Sequence, residues 1–351
     1  MNNKWTKNIL AFIIGWIIGL FIWRLIRGFD FTTDQELLNI TVSPFIFILI
    51  QFGFAILAGF TFGTVQYLYE KLSLTSKSFR AFMIQSLLIH LCLMICIYFL
   101  IFSILSFTGS IQTSFIEFIT TKLLLANLVY SFMINSVIII LIQINRLLGK
   151  GNLKKLITGK FHTPKEEARA FMFLDLKGST TIAEQLGHLN YSSFIQDCFH
   201  FLSVVDSYNV SIYQYVGDEV VLTWNLDKDD HLEGFIKAFY AYEDVLKDKK
   251  TYFETKYGIQ PIFKAGLHIG PVTVVEVGNI KREIAYHGDT INVASRIQEQ
   301  CKNFDRLLLI SEKAYERVKH IKGYTFKNVG EFVLRGRKNS TQLYDVMVQE
   351  A

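Results

Sequence analysis

Charge is scarce in this chain: only 19% of its 351 residues are Asp, Glu, Lys or Arg, below the roughly 25% of an average soluble domain. With 51% of the residues hydrophobic and 15% aromatic, that scarcity excludes a disordered or low-complexity chain, which is charge-rich and aromatic-poor. Cysteine is scarce as well. Four in the whole chain exclude a disulfide framework, and no C-x-x-C or Cys/His spacing suggests zinc. Cys92, Cys96, Cys198 and Cys301 are expected to be unpaired small hydrophobes. A net charge of +5 is weak grounds for a nucleic-acid partner, and its placement argues against one. Residues 1–147 hold nine Lys/Arg and five Asp/Glu, whereas the remainder hold twenty-seven and twenty-six. Most of the positive excess therefore belongs to the apolar half. The two halves obey different composition rules, as two kinds of domain do.

What the first half does contain is four long apolar stretches, at about 8–26, 43–69, 83–107 and 122–147. A helix needs roughly 20 residues to cross about 30 Å of hydrocarbon, so residues 1–147 are expected to form a four-helix transmembrane domain. The first stretch is too long for a signal peptide and lacks a small-x-small cleavage site. Orientation follows from basic residues in the short connections. Lys4 and Lys7, then Lys71, Lys77 and Arg80, then Arg146, Lys150, Lys154 and Lys155 fall on one side if four helices cross. That side is expected to be cytoplasmic, with both termini on it and the protein integral to the plasma or inner membrane. Arg24, Arg27 and Lys122 fall on the other side, at helix ends where they can snorkel. Inside the stretches, His90, Asn127 and Asn135 are polar. Such groups are functional suspects or partners in interhelical hydrogen bonds. His90 is the only histidine in the four stretches, which speaks against a haem held by two histidines.

Residues 148–168 read as a linker punctuated by Gly149, Gly151 and Gly159, in which Leu153, Leu156 and Ile157 have helical spacing. It is either a simple tether or a short helix that pairs with its copy and relays a signal. The following segment, 169–351, carries the chemistry. An apolar strand ends at Asp175, a turn with Gly178 follows, and a helix starts near Ser179. Backbone N–H groups at such a start favour phosphate, and a carboxylate beside them suits Mg²⁺. Gly217-Asp218 reads as a tight hairpin between two β-rich runs. Asp218 gains meaning only if that hairpin lies beside the strand of Asp175, where two carboxylates can hold two metal ions on a triphosphate. Beyond a Gly-rich bend, Asn292 and Arg296 are four apart and share a helix face. Arginine there suits phosphoryl charge.

The four motifs FLDLKGST, QYVGDE, GLHIGPV and GDTINVASR occur in this order, and by them residues 171–346 resemble the class III nucleotidyl cyclase catalytic domain of adenylate and guanylate cyclases. The resemblance covers about half of the chain. It implies an α+β ferredoxin-like domain that works as a head-to-tail homodimer with its active sites at the interface. It also implies that Asp175, Asp218 and the Leu176 carbonyl hold two Mg²⁺ ions per site, Mn²⁺ being an alternative. Gly178, Ser179 and Thr180 would surround the phosphates. A second copy would supply Asn292 for the ribose and Arg296 for the transition state, and Arg335, with Arg337 as a second choice, would meet the distal phosphates.

Base choice departs from the family pattern. Where adenylate cyclases usually carry Lys and guanylate cyclases Glu, this chain has Gln214; where adenylate cyclases carry Asp or Thr, it has Ala285. The Gln214 amide both donates and accepts, so it suits either purine. The expectation is an adenylate cyclase acting on ATP. GTP, dual specificity, or a catalytically silent nucleotide-binding receptor are the alternatives. The expected partners are nucleotide, a second copy of the chain and the lipid bilayer.

Overall fold

The structure is a computed structural model and describes residues 3–27, 43–72, 78–109, 113–149, 151–226, 233–334 and 340–349. The chain divides into two compact units, Met1–Leu147 and Leu148–Ala351.

The first unit contains helices α1 (Asn3–Ile26), α2 (Pro44–Leu72), α3 (Phe79–Phe107), the short α4 (Phe115–Thr120) and α5 (Lys122–Leu147). Four of them, α1, α2, α3 and α5, are long and apolar enough to cross a membrane. Their outward faces carry exposed large hydrophobics such as Ile18, Phe21, Leu49, Phe52, Leu100 and Leu141. An apolar surface of this extent is a liability in water and the natural face toward lipid. The polar residues instead lie inside, with Gln66, Ser86, His90 and Asn135 fully buried. Trp16 Nε1 donates to Asn135 Oδ1 at 3.2 Å, and Ser86 Oγ donates to Gln66 Oε1 at 2.6 Å. These are the interhelical hydrogen bonds expected of buried polar groups in a membrane bundle. His90 differs. Its ring packs between Phe12 and Phe62, with centroids at 5.4 and 5.3 Å. Gly59 and Gly63 on α2 let α1 come close: a Cβ on Gly59 would lie 2.5 Å from Ile13 Cα, and one on Gly63 2.8 Å from Ile9 Cα. Helices without a solvent-driven reason to associate gain from such small-residue contacts.

The second unit begins with the short helix α6 (Asn152–Ile157) and continues as β1 (Lys165–Leu176), α7 (Ser179–Phe201), a 3₁₀ turn, β2 (Ser211–Val216), β3 (Glu219–Asn225), α8 (Gly234–Asp248), α9 (Lys250–Tyr257) and β4 (Phe263–Val277). After these come β5 (Glu283–His287), α10 (Asp289–Phe304), β6 (Leu308–Ser311), α11 (Glu312–Val318), β7 (Tyr324–Val333) and β8 (Ser340–Val348). The strands form one sheet in the order β2-β3-β1-β4-β6-β8-β7, with β5 paired to β4. Its antiparallel half, β2-β3-β1-β4, has the ferredoxin-like arrangement. Strand β1 is central and buried on both faces. Ala170, Met172 and Leu174 join the core that includes Phe194 of α7 and Phe239 of α8, while Phe171 and Phe173 join the opposite face with Val274 and Tyr286.

The chain ahead of β1 is fastened to this second face. Phe161 is buried there, its carbonyl accepts from the Glu276 N–H at 2.8 Å, and Lys160 Nζ pairs with Glu167 at 2.7 Å. Helix α10 lies on the same face across β4, and it can do so only because Gly266 has no side chain. A Cβ at Gly266 would lie 2.2 Å from Gln298 N and 2.7 Å from the Ala294 carbonyl oxygen. Gly266→Ala is therefore expected to destabilise the unit by about 1–3 kcal/mol, seen as a melting temperature lower by on the order of 5 °C.

Candidate active site

Asp175 is the penultimate residue of β1 and pairs across the sheet with Glu219, the first residue of β3. The turn joining β2 to β3 is Gly217-Asp218, with Gly217 at φ +62°, a conformation that glycine adopts without strain. Pairing in this register sets Asp218 at the same end of the sheet as Asp175. The hairpin thus lies beside the strand of Asp175, the condition under which two acids far apart in sequence can act together.

The electrostatics of this pair are unfavourable as they stand. Burial raises the Asp175 carboxyl above the usual carboxylate range, and the nearby Asp218 charge raises it further. Glu219 is pushed up to about 7 by burial and by the charges of Asp175 and Asp218. Asp218 Oδ2 is buried without a hydrogen-bond partner among the described residues. An orphaned carboxylate oxygen next to a second carboxylate is costly, and a divalent cation removes both penalties. The donors are hard oxygens, two carboxylates beside the main chain of Leu176, and they suit Mg²⁺. The residues present therefore fit the metal that the motif pattern implies.

The residues expected to surround the phosphates follow directly. Gly178 takes φ +73° and caps α7 from outside. The first intrahelical bond runs from the Ile182 N–H to the Gly178 carbonyl at 3.0 Å. The N–H groups of Ser179 and Thr180 lie ahead of it, at the positive end of the helix dipole.

Helix α10 contributes to this site a residue pair that sequence reasoning missed. Gln298 Nε2 donates to Asp175 Oδ2 at 3.1 Å, and Lys302 Nζ is 3.7 Å from the same oxygen. Asn292 and Arg296 are on other faces of the helix. Arg296 precedes Gln298 by two residues, about 200° around the axis, so it turns away from the acids of its own chain. Among the described residues neither Asn292 nor Arg296 makes a hydrogen bond or ion pair with Asp175 or Asp218.

The two positions expected to read the base lie on separate strands. Gln214 is exposed on β2 and sits opposite Val221 just after a bulge. Ala285 is buried on β5 opposite Val275. Their sequence neighbours meet: the rings of Tyr213 and Tyr286 are edge-on at 4.9 Å, and the Arg169 guanidinium lies over Tyr286 at 4.7 Å. Arg335 and Arg337 lie outside the described residues.

The profile of the adenylate and guanylate cyclase catalytic domain matches residues 162–347. Adenylate cyclase 2 of Rhizobium meliloti (strain 1021) is 31% identical over 211 residues, which cover 60% of this chain and 58% of that protein. Retinal guanylyl cyclase 2 of Bos taurus is 26% identical over 128 residues, covering 36% of this chain and 12% of that protein. The chain thus spans less than two thirds of the length of these relatives. Among solved structures, a bacterial light-regulated adenylyl cyclase superposes with a TM-score of 0.51 at 16% identity, covering 61% of this chain and 64% of that one. The two share the fold.

Proposed function

The chain belongs to the adenylate and guanylate cyclase catalytic-domain family, and on that premise we propose that it is a membrane-anchored adenylate cyclase. It converts ATP to 3′,5′-cyclic AMP and pyrophosphate at the interface of a homodimer. The observation that carries this reading is the convergence of Asp175 and Asp218, with one buried carboxylate oxygen left without a partner.

In this reading Asp175, Asp218 and the Leu176 carbonyl hold two divalent ions. Bound there, Mg²⁺ supplies acidity to the ribose 3′-hydroxyl and neutralises phosphate charge. The start of α7 receives the phosphates through the N–H groups of Ser179 and Thr180, and Gly178 leaves room for them. The 3′-hydroxyl gives up its proton to solvent as its oxygen forms a bond to the α-phosphorus, and the bond from that phosphorus to the β-phosphate oxygen breaks, so pyrophosphate leaves. Charge grows on the phosphoryl oxygens, where Arg296 of a second copy stabilises it while Asn292 orients the ribose. Arg335 meets the distal phosphates. The outward turn of Arg296 within its own chain supports supply from a second copy, because the acids and the guanidinium of one chain face different ways.

Gln214 is the specific feature that keeps a GTP reading alongside, since its amide meets either purine edge. Equimolar ATP and GTP, with Mg²⁺ and then Mn²⁺, decide between them: cyclic AMP is expected in excess, and an excess of cyclic GMP would overturn the choice. Gln214→Lys is expected to favour ATP and Gln214→Glu to favour GTP, each by about tenfold, the equivalent of 1.4 kcal/mol. No cyclic product of either kind would leave only a nucleotide-binding receptor. The four apolar helices anchor the enzyme in the membrane, and the basic connections at Lys71, Lys77 and Arg80 face the cytoplasm with both termini.

A further inference from the structure

The side chain of Gln298 is the best-held polar group near the acids that the reaction scheme leaves without a role. It is 4% exposed, and its amide donates to Asp175 Oδ2 at 3.1 Å. Three features fix it there. Its backbone is pressed against Gly266 of β4, at a spacing no other residue would allow. The C-terminal end of α10 is fastened by Lys264, whose ammonium donates to the Cys301 carbonyl at 3.1 Å and pairs with Asp305 at 3.0 Å. Lys264 is itself the β4 residue opposite Asp175. The amide, the helix end and the carboxylate therefore belong to one bonded frame.

We propose that Gln298 is a positioning residue: it holds one oxygen of Asp175 and so presets the carboxylate that binds metal in its own chain. This rests on the two-metal, homodimeric reading above. Outer hydrogen bonds to a ligating carboxylate fix its orientation, and their loss typically weakens metal binding by about 10–100-fold. Being neutral, the amide orients Asp175 without adding to the charge of the Lys302 ammonium, which is 3.7 Å from the same oxygen on a mostly exposed side chain. Helix α10 also carries Arg296, which in the homodimer serves the other site. A loss of helix stability and a loss of carboxylate positioning therefore act at different sites, and the two can be told apart.

The test uses full-length chains. In the homodimer, Mn²⁺ binding in the presence of a non-cyclising ATP analogue is followed by electron paramagnetic resonance. Gln298→Ala is expected to raise the Mn²⁺ dissociation constant by about tenfold, and an unchanged constant would overturn the proposal. In mixed dimers, one chain carries Arg296→Ala and supplies the acids, while the other carries Asp175→Asn and supplies the arginine. Gln298→Ala placed in the first chain is expected to raise the Mn²⁺ midpoint for activity about tenfold, with the rate at saturating Mn²⁺ changed much less. Placed in the second chain, it is expected to leave that midpoint where it was. Equal shifts from both placements would show a merely structural role and overturn the proposal. Mixed dimers that are inactive even with Gln298 intact would instead count against arginine supply in trans, and the Mn²⁺ titration of the homodimer would still decide on Gln298.

Discussion

Asp218→Asn is expected to lower the rate of cyclic nucleotide formation by at least about 10²–10³, the scale on which a lost electrostatic group in a catalytic centre is felt. It is not expected to lower stability in metal-free buffer. The wild-type hairpin places a buried, unpartnered carboxylate oxygen beside a second acid, and the substitution removes one of two like charges. The metal-free variant should melt at the same temperature as the wild type or above it. Mn²⁺ should raise the melting temperature of the wild type by mass action and leave that of the variant nearly unmoved. Activity and metal-free stability would thus move in opposite directions. A variant that retains wild-type turnover, or loses its fold, would contradict the role given to Asp218.

Arg296→Ala is expected to reduce turnover by about 10²–10³ with a smaller effect on KM, because the charge it meets develops only as the bond to pyrophosphate breaks. The structure adds a sharper expectation. Arg296 turns away from the acids of its own chain, whereas Gln298 on the same helix reaches Asp175. Two inactive chains, one with Arg296→Ala and one with Asp175→Asn, should therefore complement each other. In a symmetric dimer each mixed molecule has one intact site of two, so mixed dimers purified through both tags should recover about half of the wild-type activity. Co-expression with different affinity tags and a cyclic nucleotide assay on the doubly purified dimer measures it. Absence of any recovery would refute the exchange of arginines between copies.

Much of this site is legible in the primary chain, for particular reasons. Asp175 stands out because an apolar run stops on a charge just before Gly178, and Gly178 does take the left-handed conformation that ends the strand and opens the helix. Asp218 stands out because Gly-Asp between two β-rich runs specifies a hairpin. Its nearness to Asp175 could not be read locally, since it depends on β3 pairing with β1 over a separation of more than forty residues. Gln298 carries no signal at all. Its spacing to Arg296 looks like any helix position, and only the contact of α10 with β4 at Gly266 shows that this face points to the acids. In the first unit, length and hydropathy are enough to mark four spans. They do not show which polar side chains find partners: Asn135 meets Trp16, while His90 sits between two phenylalanine rings.

The anchoring of Phe161 and Lys160 ahead of β1 has a mechanical side. Strand β1 has twelve residues, about 40 Å of extended chain, and is paired to β4 along its whole length and to β3 from Arg169 to Asp175. One end begins just after the buried Phe161, and the other ends with Asp175 and Leu176. Such a strand behaves as a push-rod rather than a string. A torque or pull delivered by the preceding chain finds no slack at Phe161 to absorb it, and is borne by the same rigid sheet that sets the separation of the two acids.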